Sequence, residues 1–173
     1  MKVKAGMVLG AAMVLGGCMG SAPQTADEML AAVNGGAMFS EQTTQKVARS
    51  YSAVVASVRK GADKCMNRNV QQSFTSSPGP GFAPVRQTMN FYYTTDVRSR
   101  GKFTEVAMHK RIGNGGNNIL GMKQEGIAYV ADIHPVSGGA ELKFYGGKFG
   151  YGPINKAVAQ WAEGGAIRCP DLP

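Results

Sequence analysis

Histidine, cysteine and acidic residues are all scarce in this chain: two His, three Cys and 11 Asp plus Glu among 173 residues. His109 and His134 have no cysteine near them at metal-ligand spacing, so the pattern gives no zinc site. The nucleophile signatures are absent as well. Ser57-Val58-Arg59-Lys60 matches a Ser-x-x-Lys pattern but lacks the companion motifs of that class. The glycine-rich stretch 146–152 has no P-loop register, and Pro153 removes an amide donor that a phosphate cradle would use. Residues 113–121 carry glycines without a Gly-x-Gly-x-x-Gly register and read as a hairpin loop. The carboxylates Asp96, Glu105, Glu125, Asp132 and Glu141 are scattered over strands and loops, with no pair that the sequence places together. Asp132 and His134 share a strand face, but two residues make neither a triad nor a metal site. The expectation is a protein that is not an enzyme and carries no cofactor or metal.

Long apolar runs are also lacking. The one apolar stretch, residues 5–15, falls short of the roughly 20 residues that span a bilayer. It follows Lys2 and Lys4 and precedes Leu15-Gly16-Gly17-Cys18, the charged, apolar and small-residue regions of a secretory signal. The Leu-Gly-Gly-Cys ending resembles the lipobox of bacterial lipoproteins, a resemblance confined to residues 1–18. It implies cleavage before Cys18, lipidation of the Cys18 sulfur, and a place in the cell envelope. Two or three acyl chains hold a protein firmly where one does not. Met19 stands where an aspartate would signal inner-membrane retention in enteric-type bacteria. The expected location is therefore the outer membrane, facing the periplasm or the cell surface.

With Cys18 taken by lipid, Cys65 and Cys169 remain as an even pair in an oxidising compartment, and a disulfide is expected between them. The full chain carries 19 Lys plus Arg, for a formal charge of +8. Loss of Lys2 and Lys4 leaves 17 basic against 11 acidic residues, a net of +6. Export argues against nucleic acid as the partner for this charge. Anionic phospholipid, lipopolysaccharide phosphate, peptidoglycan carboxylate or an acidic protein fits better.

Residues 1–17 read as the signal and 18–40 as lipidated cysteine plus flexible tether, with two turns of helix near 27–33. Residues 41–173 read as one α+β domain. Ser40 is taken as the N-cap of a helix over 41–64, whose stripe is Val47, Tyr51, Val54, Val55, Val58, Ala62 and Cys65. The period then changes to two. Strands are expected over 69–76, 85–97, 103–112 (with a bulge, since Phe103 is out of phase), 127–133 and 140–144. Residues 134–139 would turn the chain. Ile127, Tyr129, Ala131 and Ile133 are expected to face inward together. Pro153 opens a final helix that Gly164-Gly165 ends. The result is an antiparallel sheet of about five strands with an N-terminal and a C-terminal helix on one face, closed by the disulfide. A helix-grip-like arrangement is one version of it.

The surface candidate is the basic hairpin of Arg98, Arg100, Lys102, Lys110 and Arg111, with Tyr92 as an aromatic neighbour. The function expected is a lipid-anchored envelope protein that docks a protein, glycan or anionic component. The alternative is a carrier holding a lipid or small apolar ligand between sheet and helix. Replacement of Cys18 by Ser is expected to abolish incorporation of a palmitate analogue and leave the protein unprocessed or soluble. Label persisting in that variant would contradict the lipobox reading.

Overall fold

The computed structural model describes residues 21–37, 40–76, 83–113, 118–119, 122–123 and 125–173. The signal region, Cys18 and most of the proline-rich loop lie outside the described residues. The order is α1 (Ala26–Asn34), β1 (Ser40–Val47), α2 (Tyr51–Cys65), β2 (Arg68–Ser76), β3 (Val85–Ser99), β4 (Thr104–Ile112), β5 (Asn118–Ile119), β6 (Met122–Lys123), β7 (Gly126–Val136), β8 (Gly139–Gly147) and α3 (Gly152–Ala162). Six strands form one antiparallel sheet in the order β1-β8-β7-β4-β3-β2, while β5 and β6 pair separately.

The sixth strand is the main departure from the expected layout. Residues 40–47 form edge strand β1, paired with β8 from Ser40↔Gly147 to Val47↔Ala140, and not the first turns of a helix. Between Glu41 and Lys46 there is no apolar residue to give a helix a buried face, and Thr43-Thr44 favours extended backbone. The helix begins ten residues later, where the Ser50 hydroxyl accepts from the Ala53 amide at 3.4 Å. From there the expected stripe holds, with Val54, Val58, Ala62 and Cys65 buried.

β1 and β2 are the two edges of the sheet, so α2 must cross its whole width. Fifteen helical residues rise about 22 Å, close to the roughly 24 Å of five strand spacings. α2 and α3 lie together on this face over Phe91, Tyr93, Val106, Met108, Tyr129, Ala131, Ile133, Leu142 and Phe144. The Cys65–Cys169 disulfide ties the end of α2 to the last residues. These return along the sheet: the Arg68 guanidinium donates to the Pro170 carbonyl and the Tyr93 hydroxyl to Pro173 O.

α1 covers the opposite face. Its residues fall within the stretch expected to be tether, but Ala26, Met29 and Val33 are buried against Ala107, Ile127, Val130 and Tyr145. Thr25 caps the helix by accepting from the Glu28 amide at 3.2 Å, and the Glu28 carboxylate accepts from the Gln24 amide at 2.7 Å. Pro23 O accepts from the Ile127 amide at 2.6 Å, so the chain is fixed to the sheet from there on. A Cβ at Gly126 would run into Pro23, which makes glycine necessary at that approach.

Two smaller expectations also shift. The bulge lies where the β4–β7 register steps between Met108 and His109, leaving Ala128 as the extra residue. Phe103 sits in the turn instead, closed by the Arg100 amide on the Phe103 carbonyl at 2.8 Å. The bulge sends Ile127 to the α1 face, while Tyr129, Ala131 and Ile133 face α2 and α3. β7 runs on to Val136, so the turn shortens to Ser137-Gly138.

α2 approaches α3 closely at Gly61, where an added Cβ would overlap the Trp161 indole. Gly61→Ala relieves the helix of a glycine but overpacks this contact, and is expected to lower stability by about 1–3 kcal/mol. Urea denaturation checks it; a more stable variant would mean that the helices can separate freely.

Candidate functional site

The five cations of the basic hairpin occupy three different places. β4 carries its side chains alternately to the two faces, and its length separates Thr104 from Arg111 by roughly 24 Å. Arg98, Arg100 and Lys102 gather at the β3–β4 turn. Lys110 is at the other end of β4 on the α2/α3 face, its ammonium 4.2 Å from the Phe91 ring centroid and 3.2 Å from Pro173 O, to which it donates. Burial lowers its pKa. Arg111 lies on the α1 face, with its guanidinium 4.7 Å above the Tyr92 ring. The sequence spacing of fourteen residues thus brings together three of the five.

Even at the turn, two of the three cations are already engaged. Arg98 Nε donates to Glu105 Oε1 at 2.8 Å and Arg100 Nε to Glu105 Oε2 at 3.0 Å. Arg100 also reaches Asp27 of α1 at 3.9 Å. Glu105 is 1% exposed, so two arginines fork onto one buried carboxylate. Lys102 is exposed.

Glu105 opens a charged row that the sequence did not disclose. The strand registers place Arg98, Glu105, Asp132 and Lys143 side by side across β3, β4, β7 and β8. Glu105 and Asp132 are therefore direct cross-strand neighbours, a carboxylate pair formed by residues 27 apart in sequence. Asp132 is 2% exposed and its Oδ1 has no hydrogen-bond partner among the described residues. Burial, followed by the Glu105 charge, pushes its pKa to about 7. Lys143 turns partly to Glu141, at 3.9 Å. His134 follows on the same face as Asp132, stacked on Phe103 at 4.8 Å between ring centroids, and burial lowers its pKa. What could have revealed the pair is the register, and that depends on where the bulge falls.

Two adjacent carboxyls with one held near neutrality could in principle exchange a proton. At 1–2% exposure, however, neither is reachable by a substrate. Among the described residues no group of three His, Cys, Asp or Glu side chains is placed to hold a metal ion. Further along the α1 face, Gln24, Tyr92, Thr94, Asp96, His109 and Arg111 line an open depression of about 470 Å³. There His109 Nε2 lies 3.9 Å from Asp96 Oδ2. Comparison of the chain with family models, with curated proteins and with solved structures finds no match.

Asp132 makes the fold sensitive to pH. Its folded-state pKa is raised from 3.8 to about 7, so its contribution is full below pH 4 and is lost as pH rises through 7. Asp132→Asn is expected to flatten that fall and to raise the melting temperature at pH 8, by the equivalent of about 1–4 kcal/mol. Thermal melts at pH 5 and pH 8 check this. An unchanged difference between the two pH values in the variant would place the titration elsewhere.

Proposed function

We propose that this protein is a non-catalytic, lipid-anchored component of the bacterial envelope that docks an anionic partner through the β3–β4 turn. Cys18 would carry the lipid and hold the protein to the outer membrane, facing the periplasm or the cell surface. The turn of Arg98, Arg100 and Lys102 would meet an acidic glycan or protein. The observation that carries this reading is the placement of the turn. Pro23, bonded to Ile127, is at one end of β7, whereas the cationic turn neighbours Ile133 near the other. A chain held at Pro23 would present the turn away from its anchor.

The carrier reading has less support. A helix-grip-like cradle would need room between the sheet and α2/α3, but Trp161, Tyr93, Tyr129, Met66 and Met108 are packed there with less than 2% exposure. No catalytic role is assigned to Glu105 and Asp132, because the pair is sealed.

The docking test has to respect the buried carboxylate. Removing Arg98 and Arg100 alone would leave Glu105 unpaired and cost about 3–5 kcal/mol. The informative variant is therefore Arg98→Gln, Arg100→Gln, Lys102→Gln and Glu105→Gln combined, which lowers the net charge by two. Lys60→Gln with Lys64→Gln on the outer side of α2 lowers it equally. Co-sedimentation with purified peptidoglycan sacculi, rich in carboxylates, is expected to fall several-fold for the turn variant and little for the control. It should also weaken in the parent as salt passes ~0.15 M. Equal losses in both variants would mean that only total charge matters.

A further inference from the structure

We propose that the end of the sheet nearest Pro23 is a second membrane contact, seated directly on the phospholipid surface into which Cys18 is anchored. This rests on the lipid-anchor reading of Cys18.

Cys18 precedes Pro23 by five residues, and five residues fully extended span at most about 18 Å. Pro23 is fixed to the sheet by its bond to the Ile127 amide and by α1 behind it. From Ile127 to the Ser137-Gly138 turn β7 runs about 33 Å. An inverted orientation, with that turn on the bilayer and the strands upright, would hold Pro23 beyond the reach of its own anchor. The Pro23 end has to face the lipid.

That end carries what a bilayer contact needs. The β2–β3 hairpin continues past the last β3–β4 pair, Phe91↔Ile112, so that residues 85–90 project roughly 20 Å beyond β4. The register puts Thr94 level with Ile127, so Val85 stands nine residues, roughly 30 Å, past the Pro23 bond, and this arm and Phe149 meet one lipid surface with the strands tilted rather than upright. Opposed residues of an antiparallel pair share a face, which puts every apolar residue of this arm on the same side. Phe74, Val85 and Met89 lie on one side, interleaved with Gln72, Ser76 and Gln87; Ser73, Thr75, Arg86 and Thr88 lie on the other. On the same end of the sheet, Ala22 and Gly147 line one depression, and the turn of Lys148 and Phe149 follows Gly147 directly. Phe149 is 69% exposed, Val85 47% and Phe74 44%. The one remaining large apolar side chain exposed among the described residues is Val136, 38%, at the opposite end.

Aromatic and aliphatic side chains next to Arg86 and Lys148 fit a headgroup boundary, where apolar groups enter the acyl region and cations meet phosphate. A lipid chain and this surface together would fix the orientation of the domain, where lipid alone would leave it to rotate on its leash.

Depth-dependent quenching tests the contact. The full lipoprotein, extracted from membranes and reconstituted in anionic vesicles containing brominated phospholipid, is compared as Phe149→Trp and Val136→Trp. The native Trp161 is buried and supplies a constant background. The expected result is at least twofold stronger quenching for the Phe149→Trp protein, with the Val136→Trp protein no different from the parent. Intact mass of the same samples reports separately whether Cys18 is acylated. Acylated protein with equal quenching at both positions, or with quenching only at 136, overturns the contact and leaves the anchor standing. Absence of lipid on Cys18 overturns both.

Discussion

β4 and β7 are buried on both faces, and the rest of the molecule follows from that. Thr104 to Met108 and Tyr129 to Ile133 are unbroken runs of buried residues in the middle of the sheet. Such strands need a layer on each side, because apolar side chains left in water on either face would forfeit on the order of 25 cal/mol per Å². On one side α2 and α3 supply the layer, spanning the sheet from edge to edge with Gly61 letting them close onto Trp161. On the other, α1 is the cover, with Ala26, Met29 and Val33 over Ala107, Val130 and Tyr145.

The second layer is narrow, and the way the sheet face is finished beyond it explains the charged row. One helix of nine residues cannot cover four strands, so next to its apolar contacts the same face carries Glu105 and Asp132. Burying Glu105 is tolerated because Arg98 and Arg100 take both its oxygens. Asp132 has no such partner for Oδ1 among the described residues and shifts toward its neutral form instead. The cations that look free in the sequence are in good part counter-ions to this interior. Lys102 and the outward sides of the two arginines are what the turn leaves to solvent.

Much of this was legible in the sequence, and the failures have physical causes. The apolar stripe from Tyr51 to Cys65, the long alternating strand that ends near Val97, the helix opened by Pro153 and the Cys65–Cys169 pairing all appear where the pattern puts them. β1 was missed because an edge strand with polar residues on both faces has no period to read, and its identity comes from β8 alongside it. α1 was underestimated because small residues hid its apolar face. Yet Thr25-Ala26-Asp27-Glu28 is a capping-box spacing, and the run Ile127-Ala128-Tyr129-Val130-Ala131 announces a strand buried on both sides. The Glu105–Asp132 pair was beyond pattern reading, since a one-residue bulge decides which residues face each other.

The segment that follows Cys18, from Pro23 through α1, is part of the folded domain. Hydrogen–deuterium exchange of the full chain addresses it directly, because a docked helix protects its amides and a tether does not. Peptides covering residues 26–34 should exchange nearly as slowly as those from β4, and the Ile127 amide, bonded to Pro23, should be protected with them. Complete exchange of 26–34 at the rate of an unstructured chain, with β4 still protected, would contradict the account.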